Sequence, residues 1–144
     1  MTVEAFSAAG GEQDLLRRVL DVERRSWKGP AGTGLFSPGL LAFYRSLVRR
    51  LLGEGRLRAL FARREGEDLG YILGGVGPGI YRGFQFSFDR RWPELSLGGL
   101  LQEAQIASLA AEGVQTYDLG IDIGYKRRWG DRAIETSTLA VVRR

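Results

Sequence analysis

Ile80-Tyr81-Arg82-Gly83-Phe84-Gln85-Phe86-Ser87-Phe88-Asp89, then a loop, then Ser96-Leu97-Gly98-Gly99-Leu100-Leu101: the architecture hangs on this stretch. Phe84, Phe86 and Phe88 recur at every second residue, with Gly83, Gln85 and Ser87 between them. That is the period of a pleated strand with one apolar face. From Gly98 the period changes. Leu101, Ala104, Ser108 and Ala111 fall along one face of a helix from Gly98 to Glu112, stopped by Gly113. Val114 to Ile121 reads as another strand. Strand, helix and strand in this order predict two parallel strands joined by a right-handed crossover.

Upstream, Arg56 to Arg64 and Leu69 to Val76 read as strands, separated by Glu65-Gly66-Glu67-Asp68 and followed by the turn Gly77-Pro78-Gly79. Three strands joined by short turns pair antiparallel. Ser37-Pro38 is a helix start, and the helix runs to Leu52 and ends at Gly53. Its inward residues are Leu40, Leu41, Tyr44, Leu47, Val48 and Leu51. A first helix, Glu12 to Arg25, places Leu15, Leu16, Val19 and Val22 at helical spacing. Ser26 to Gly34 is dense in glycine and reads as a loop. Downstream come a short turn or helix at Tyr125 to Trp129 and a last strand at Ala133 to Val142. The expectation is one α/β domain over residues 1–144, a mixed sheet with helices on both faces.

Composition narrows the chemistry. The chain has 144 residues, 44% of them hydrophobic, enough for a core. No apolar run nears the roughly 20 residues of a membrane helix. Met1 to Gly10 lacks the pattern of a signal peptide, so a cytoplasmic protein is expected. Cysteine is absent, which excludes thiol catalysis and disulfides. Histidine is absent too, which excludes a Ser-His-Asp relay and a His-containing zinc site. Proton transfer falls to Asp, Glu, Tyr, Lys, a terminus or water. The net charge is +4. It reads either as solvated arginine faces or as attraction to an anionic partner. The basic residues are scattered in pairs such as Arg24-Arg25 and Arg63-Arg64, which points away from a nucleic-acid tract.

Three places can carry chemistry. At Ser96-Leu97-Gly98-Gly99-Leu100, glycines at a helix start let backbone N–H groups approach a pyrophosphate. The alternative is that Ser96 caps the helix and the glycines serve packing. In the stretch from Thr116 to Gly130, Asp118 and Asp122 stand at or beyond a strand end, where a carboxylate can take a proton or hold a hydroxyl or ammonium. There Tyr125 can protonate a leaving thiolate, and Lys126, Arg127 and Arg128 can meet phosphate. The alternative is a capped turn with a solvated basic patch. The third place is Glu23 with Ser26-Trp27-Lys28-Gly29. Trp27 either stacks on a sugar or adenine, or plugs the core.

Together these stretches resemble one family. Glu23-x-x-Ser26-Trp27-Lys28-Gly29 with Phe43-Tyr44, Phe88-Asp89 with Ser96-Leu97-Gly98-x-x-Leu101, and Tyr117-Asp118-Leu119-Gly120 with Tyr125-Lys126-x-x-Trp129 are similar to the acyltransferase domain of CelD-type proteins. Those proteins belong to the GNAT superfamily and are related to FemAB-like proteins. Leu97 stands where that family usually has proline. The resemblance implies acetyl-CoA or another acyl-CoA as donor, and as acceptor an amine on a sugar or cell-envelope precursor. It implies a cofactor seat at Phe88, Ser96, Leu97, Gly98, Gly99, Leu100 and Lys126. Catalytic roles would fall to Asp118 and Tyr125, and substrate contacts to Trp27, Lys28 and Asp122, with no metal. Pantetheine would lie in a gap between the strands ending near Asp89 and Ile121. Full-length relatives carry two such domains, so a homodimer is one expectation. The alternatives are an aminoacyl transfer from tRNA, which the basic surface would suit, or a binding module that keeps the fold without turnover.

Overall fold

The computed structural model describes residues 1–141. Five strands form one sheet in the order β1-β2-β3-β4-β5. β2 (Leu57–Arg64), β3 (Glu67–Gly77) and β4 (Ile80–Phe88) pair antiparallel through short turns, as the spacing predicts. β5 (Thr116–Asp118) pairs parallel with β4. The fold class is the expected mixed α/β sheet with helices on both faces.

Alternation along β2 explains the layers. Ala59 and Phe61 face one side, and Leu60 and Ala62 the other. Against the first side pack α1 (Gly11–Arg25), through Leu15, Leu16, Val19 and Val22, and α3 (Leu40–Gly53), through Tyr44 and Val48. Against the second lies α4 (Leu97–Ala111), through Leu97 and Leu101. Each fully buried leucine contributes about 2 kcal/mol.

Several elements differ from the sequence reading. β1 (Thr2–Ala5) is an extra edge strand on β2. It is four residues long, and only Val3 joins the core, so its pattern is too short to recognise. Ser26 to Gly34 is not all loop, because α2 (Lys28–Ala31) forms inside it. α3 starts at Leu40 rather than at Ser37-Pro38, because Gly39 adopts a left-handed φ of 77° and ends the preceding turn. α4 buries Leu97, Leu101, Gln105 and Leu109, while Ala111 is exposed. Its inner face includes the polar Gln105 while Ile106 is exposed, so apolar spacing alone does not single that face out. The expected strand Val114 to Ile121 shrinks to Thr116–Asp118. Residues 133–141 pair with nothing and form no strand, and Val142 lies outside the described residues.

The largest correction is in β4. Leu73 pairs with Gln85, but Gly74 pairs with Gly83, so Phe84 is an extra residue. The bulge reverses the alternation. Phe84 packs on the α1 and α3 side, whereas Phe86 and Phe88 pack on the α4 side. Gly75 leaves space for the Phe84 ring, which a Cβ there would meet at 3.1 Å, and Gly74 leaves space for the Tyr81 ring and the Arg82 carbonyl.

Candidate active site

β4 and β5 pair only from Ile80 to Arg82 and from Thr116 to Asp118. Beyond that rung β5 ends while β4 runs on to Phe88. The gap opens into a cleft of about 820 Å³, within the ~300–1,000 Å³ of small-ligand sites. A hollow of about 170 Å³ beside Met1 and Arg63 lies at the far edge of the sheet.

One wall is the start of α4. Ser96, Leu97, Gly98 and Gly99 line the cleft, as does Phe88 from β4. Ser96 does not cap the helix through its side chain, and it holds a left-handed φ of 47°. The first helical hydrogen bond runs from Leu100 N–H to the Ser96 carbonyl, 3.1 Å. The amides ahead of Leu100 therefore have no intrahelical acceptor. The two glycines differ. A Cβ on Gly98 would meet the Phe86 ring at 3.1 Å, a packing role, whereas one on Gly99 would meet nothing within 4 Å. Leu100 packs in the apolar layer with Leu97 and Leu101 and is not a wall residue.

The opposite wall comes from the turn after β5, a 3-10 turn at Gly124–Arg128. Tyr125, Lys126 and Arg128 line the cleft. Partial burial pushes the Tyr125 phenol above its ordinary value. Lys126 Nζ donates to the carbonyls of Leu119 at 2.6 Å and Ile121 at 3.2 Å, so it clasps the turn. Asp118 and Asp122 are not among the wall residues. Asp118 is ion-paired with Arg82 and accepts from Gly120 N–H at 2.7 Å. Burial pushes its carboxyl up, but the Gly120 amide and Arg82 outweigh that and hold it below the usual range. Asp122 is exposed and bonds Arg127 Nε at 3.2 Å.

The third wall comes from α2. Trp27 is 59% exposed at the cleft rim and is no core plug. Lys28 Nζ donates to the Phe86 carbonyl at 2.7 Å and to Gln85 Oε1 at 3.2 Å. Glu23, fully buried, lies 3.7 Å behind it. That carboxylate accepts from Tyr71 Oη at 2.9 Å and Leu35 N–H at 3.2 Å. Burial lowers the Lys28 ammonium from its ordinary value, against the upward pull of Glu23. Burial and then Glu23 hold the Tyr71 phenol well above its own.

Sequence reasoning missed Trp92, Gln102 and Tyr117, which also line the cleft. Gln102 stands one turn after Gly98, a spacing that puts both on one helix face. Burial pushes Tyr117 up to about 12.

Residues 2–127 match the model of a family described as the acetyltransferase (GNAT) domain. The chain belongs to this family. GNAT acetyltransferases use acetyl-CoA, and the cleft fits such a partner. Ser87 Oγ and Trp92 Nε1 are buried wall atoms without a hydrogen-bond partner among the described residues, and Gly99 is open.

Solved structures share the GNAT fold. A PaiA N-acetyltransferase from Thermoplasma acidophilum, in complex with coenzyme A, is 15% identical, with a TM-score of 0.58 over 79% of this chain and 76% of that one. A ribosomal-protein-alanine N-acetyltransferase from Brucella melitensis biovar Abortus 2308 is 10% identical, with a TM-score of 0.64 over 99% and 100%. An aminoglycoside acetyltransferase from an uncultured soil metagenomic sample, in complex with sisomicin, is 15% identical, with a TM-score of 0.62 over 98% and 93%. At these identities the likeness is one of fold. No curated protein matches the chain.

Proposed function

We propose that this GNAT chain acetylates an amine on a sugar or cell-envelope precursor, in the manner of the CelD-type proteins its motifs resemble. The observation that carries the reading is the fork beyond Arg82 and Asp118, with the open amide end of α4 beside it. The Leu97, Gly98 and Gly99 amides hold the pyrophosphate, where the helix end is partly positive. The thioester arm lies along the unpaired edge of β4, and Trp27 offers a flat face to the acceptor.

In the reaction the amine lone pair attacks the thioester carbonyl. The new C–N bond forms, the C–S bond breaks, the amine nitrogen loses a proton to water in the cleft, and the thiolate gains one from a donor that water then reprotonates. Tyr125, held protonated by its raised pKa, supplies the thiolate's proton. Most of the rate comes from alignment of amine and thioester. We assign Asp118 to positioning, because Arg82 and the Gly120 amide already occupy it.

A thermal-shift titration tests this. Acetyl-CoA at a hundred times its Kd is expected to stabilise the fold by about 2.7 kcal/mol. No shift and no calorimetric heat with acetyl-CoA or CoA would sink the proposal.

A further inference from the structure

The charge of the cleft carries information about the acceptor. Its walls hold three cations, Lys28, Lys126 and Arg128, and no carboxylate among the described residues. Four nearby acids lie away from the walls and are held by partners, and Glu94, Glu103 and Asp131 are exposed beside wall residues without lining the cleft. Glu23 is buried with Tyr71 and Lys28, Asp118 is held by Arg82, and Asp122 by Arg127. Asp89 lies between Arg25 and Arg91. An acceptor with several ammonium groups would find three like charges and no carboxylate on the walls themselves.

The cations are not equivalent. Lys28 and Lys126 spend their ammonium groups on backbone carbonyls. Arg128 is exposed on the wall, its guanidinium 5.9 Å from the Trp129 ring centroid, with no carboxylate partner among the described residues. The α4 amides already offer a seat to a diphosphate, which leaves Arg128 for a second anion. A planar guanidinium suits a phosphate or carboxylate.

Resting on the transferase reading above, we infer that the acceptor is an amine that also carries an acid group, such as a hexosamine bearing a phosphate or a carboxylate, and that Arg128 takes this acid. Arg128 is thereby a specificity residue.

The test compares kcat/KM for acetyl transfer to glucosamine 6-phosphate, muramic acid, glucosamine and the polycation kanamycin, in the wild type and Arg128→Glu. The CoA Kd of both proteins is measured by calorimetry. One acid-bearing hexosamine is expected to exceed glucosamine about tenfold, the equivalent of one charge-assisted hydrogen bond, and kanamycin is expected to be slowest. Which acid wins separates phosphate from carboxylate. Arg128→Glu is expected to abolish the preference, slowing the favoured acid-bearing hexosamine at least about tenfold more than it slows glucosamine or weakens CoA binding. The inference is overturned if kanamycin is preferred, if neither acid-bearing hexosamine outpaces glucosamine, or if Arg128→Glu weakens CoA binding instead. Failure of the wild type to bind CoA is a different result, and it removes the transferase reading itself.

Discussion

Arg82 and Asp118 stand opposite each other on the last paired rung of β4 and β5, and their side chains form an ion pair there. One rung further the strands no longer pair. The pair therefore marks the closed end of the fork, and the Gly120 amide ties the same carboxylate to the following turn.

Asp118→Asn keeps the Gly120 acceptor and removes the charge. Both partners are partly exposed, so the stability loss should be small, about 1 kcal/mol or less. CoA affinity should fall by about three- to tenfold as the turn loosens. Calorimetry and a melting curve check this. A loss of kcat of about 10³-fold with unchanged CoA affinity would instead make Asp118 a proton-transfer group.

Gly99→Asp should separate folding from binding. Replacing a helical glycine with Asp gains about 0.2–0.4 kcal/mol, and an acid near a helix start adds about 0.3–1 kcal/mol. The same carboxylate opposes a bound diphosphate. The expected result is a melting temperature that holds or rises, with CoA affinity lowered at least about tenfold. Bulk at Gly98 should instead disturb the Phe86 contact and lower stability.

Tyr125→Phe should lower kcat by about 10²-fold and leave KM nearly unchanged, because the hydroxyl acts on the leaving group. Burial raises the folded pKa of this phenol. Its proton is thus retained beyond the ordinary value of about 10, and any alkaline loss of rate due to Tyr125 should begin above it. Rates measured across alkaline pH in the wild type and variant check this.

Asp89 is fully buried and receives Arg25 Nε at 2.8 Å and the Arg91 amide at 2.9 Å. Burial pushes its carboxyl up, but Arg91 and then Arg25 overcome this and hold it below the ordinary value. A lowered folded pKa stabilises above the unfolded value of about 3.9 and loses that effect as pH falls through the folded one. Asp89→Asn should cost about 2–3 kcal/mol at pH 7. The gap to wild type should narrow below about pH 4. Urea titrations at several pH values give both numbers.

Much of this was legible along the chain, and the misses have local causes. The α1 stripe from Leu15 to Val22 was readable from its helical spacing, and the hairpins of β2, β3 and β4 from the turns Glu65-Gly66-Glu67-Asp68 and Gly77-Pro78-Gly79 between them. The motif around Gly98 was readable because glycines, a strand end and a helix start coincide. The inner face of α4 was not, since a buried Gln105 and an exposed Ile106 blur its apolar stripe. The Phe84 bulge was not, because three phenylalanines at period two look the same whether or not one is inserted.

By itself, then, the sequence determined the succession α1, α3, β2, β3, β4, α4, β5, the parallel pairing of β4 with β5, and the limits on chemistry set by the lack of histidine and cysteine. Those follow from local periods and from which side chains exist at all. Only the tertiary structure decided that Asp118 and Asp122 are held by arginines off the cleft wall, that Trp27 sits at the rim, and that Arg128 faces the cleft with no ion-pair partner among the described residues. A residue's charge is written in the chain. Whether that charge is neutralised depends on distances between segments dozens of residues apart, and folding alone sets those.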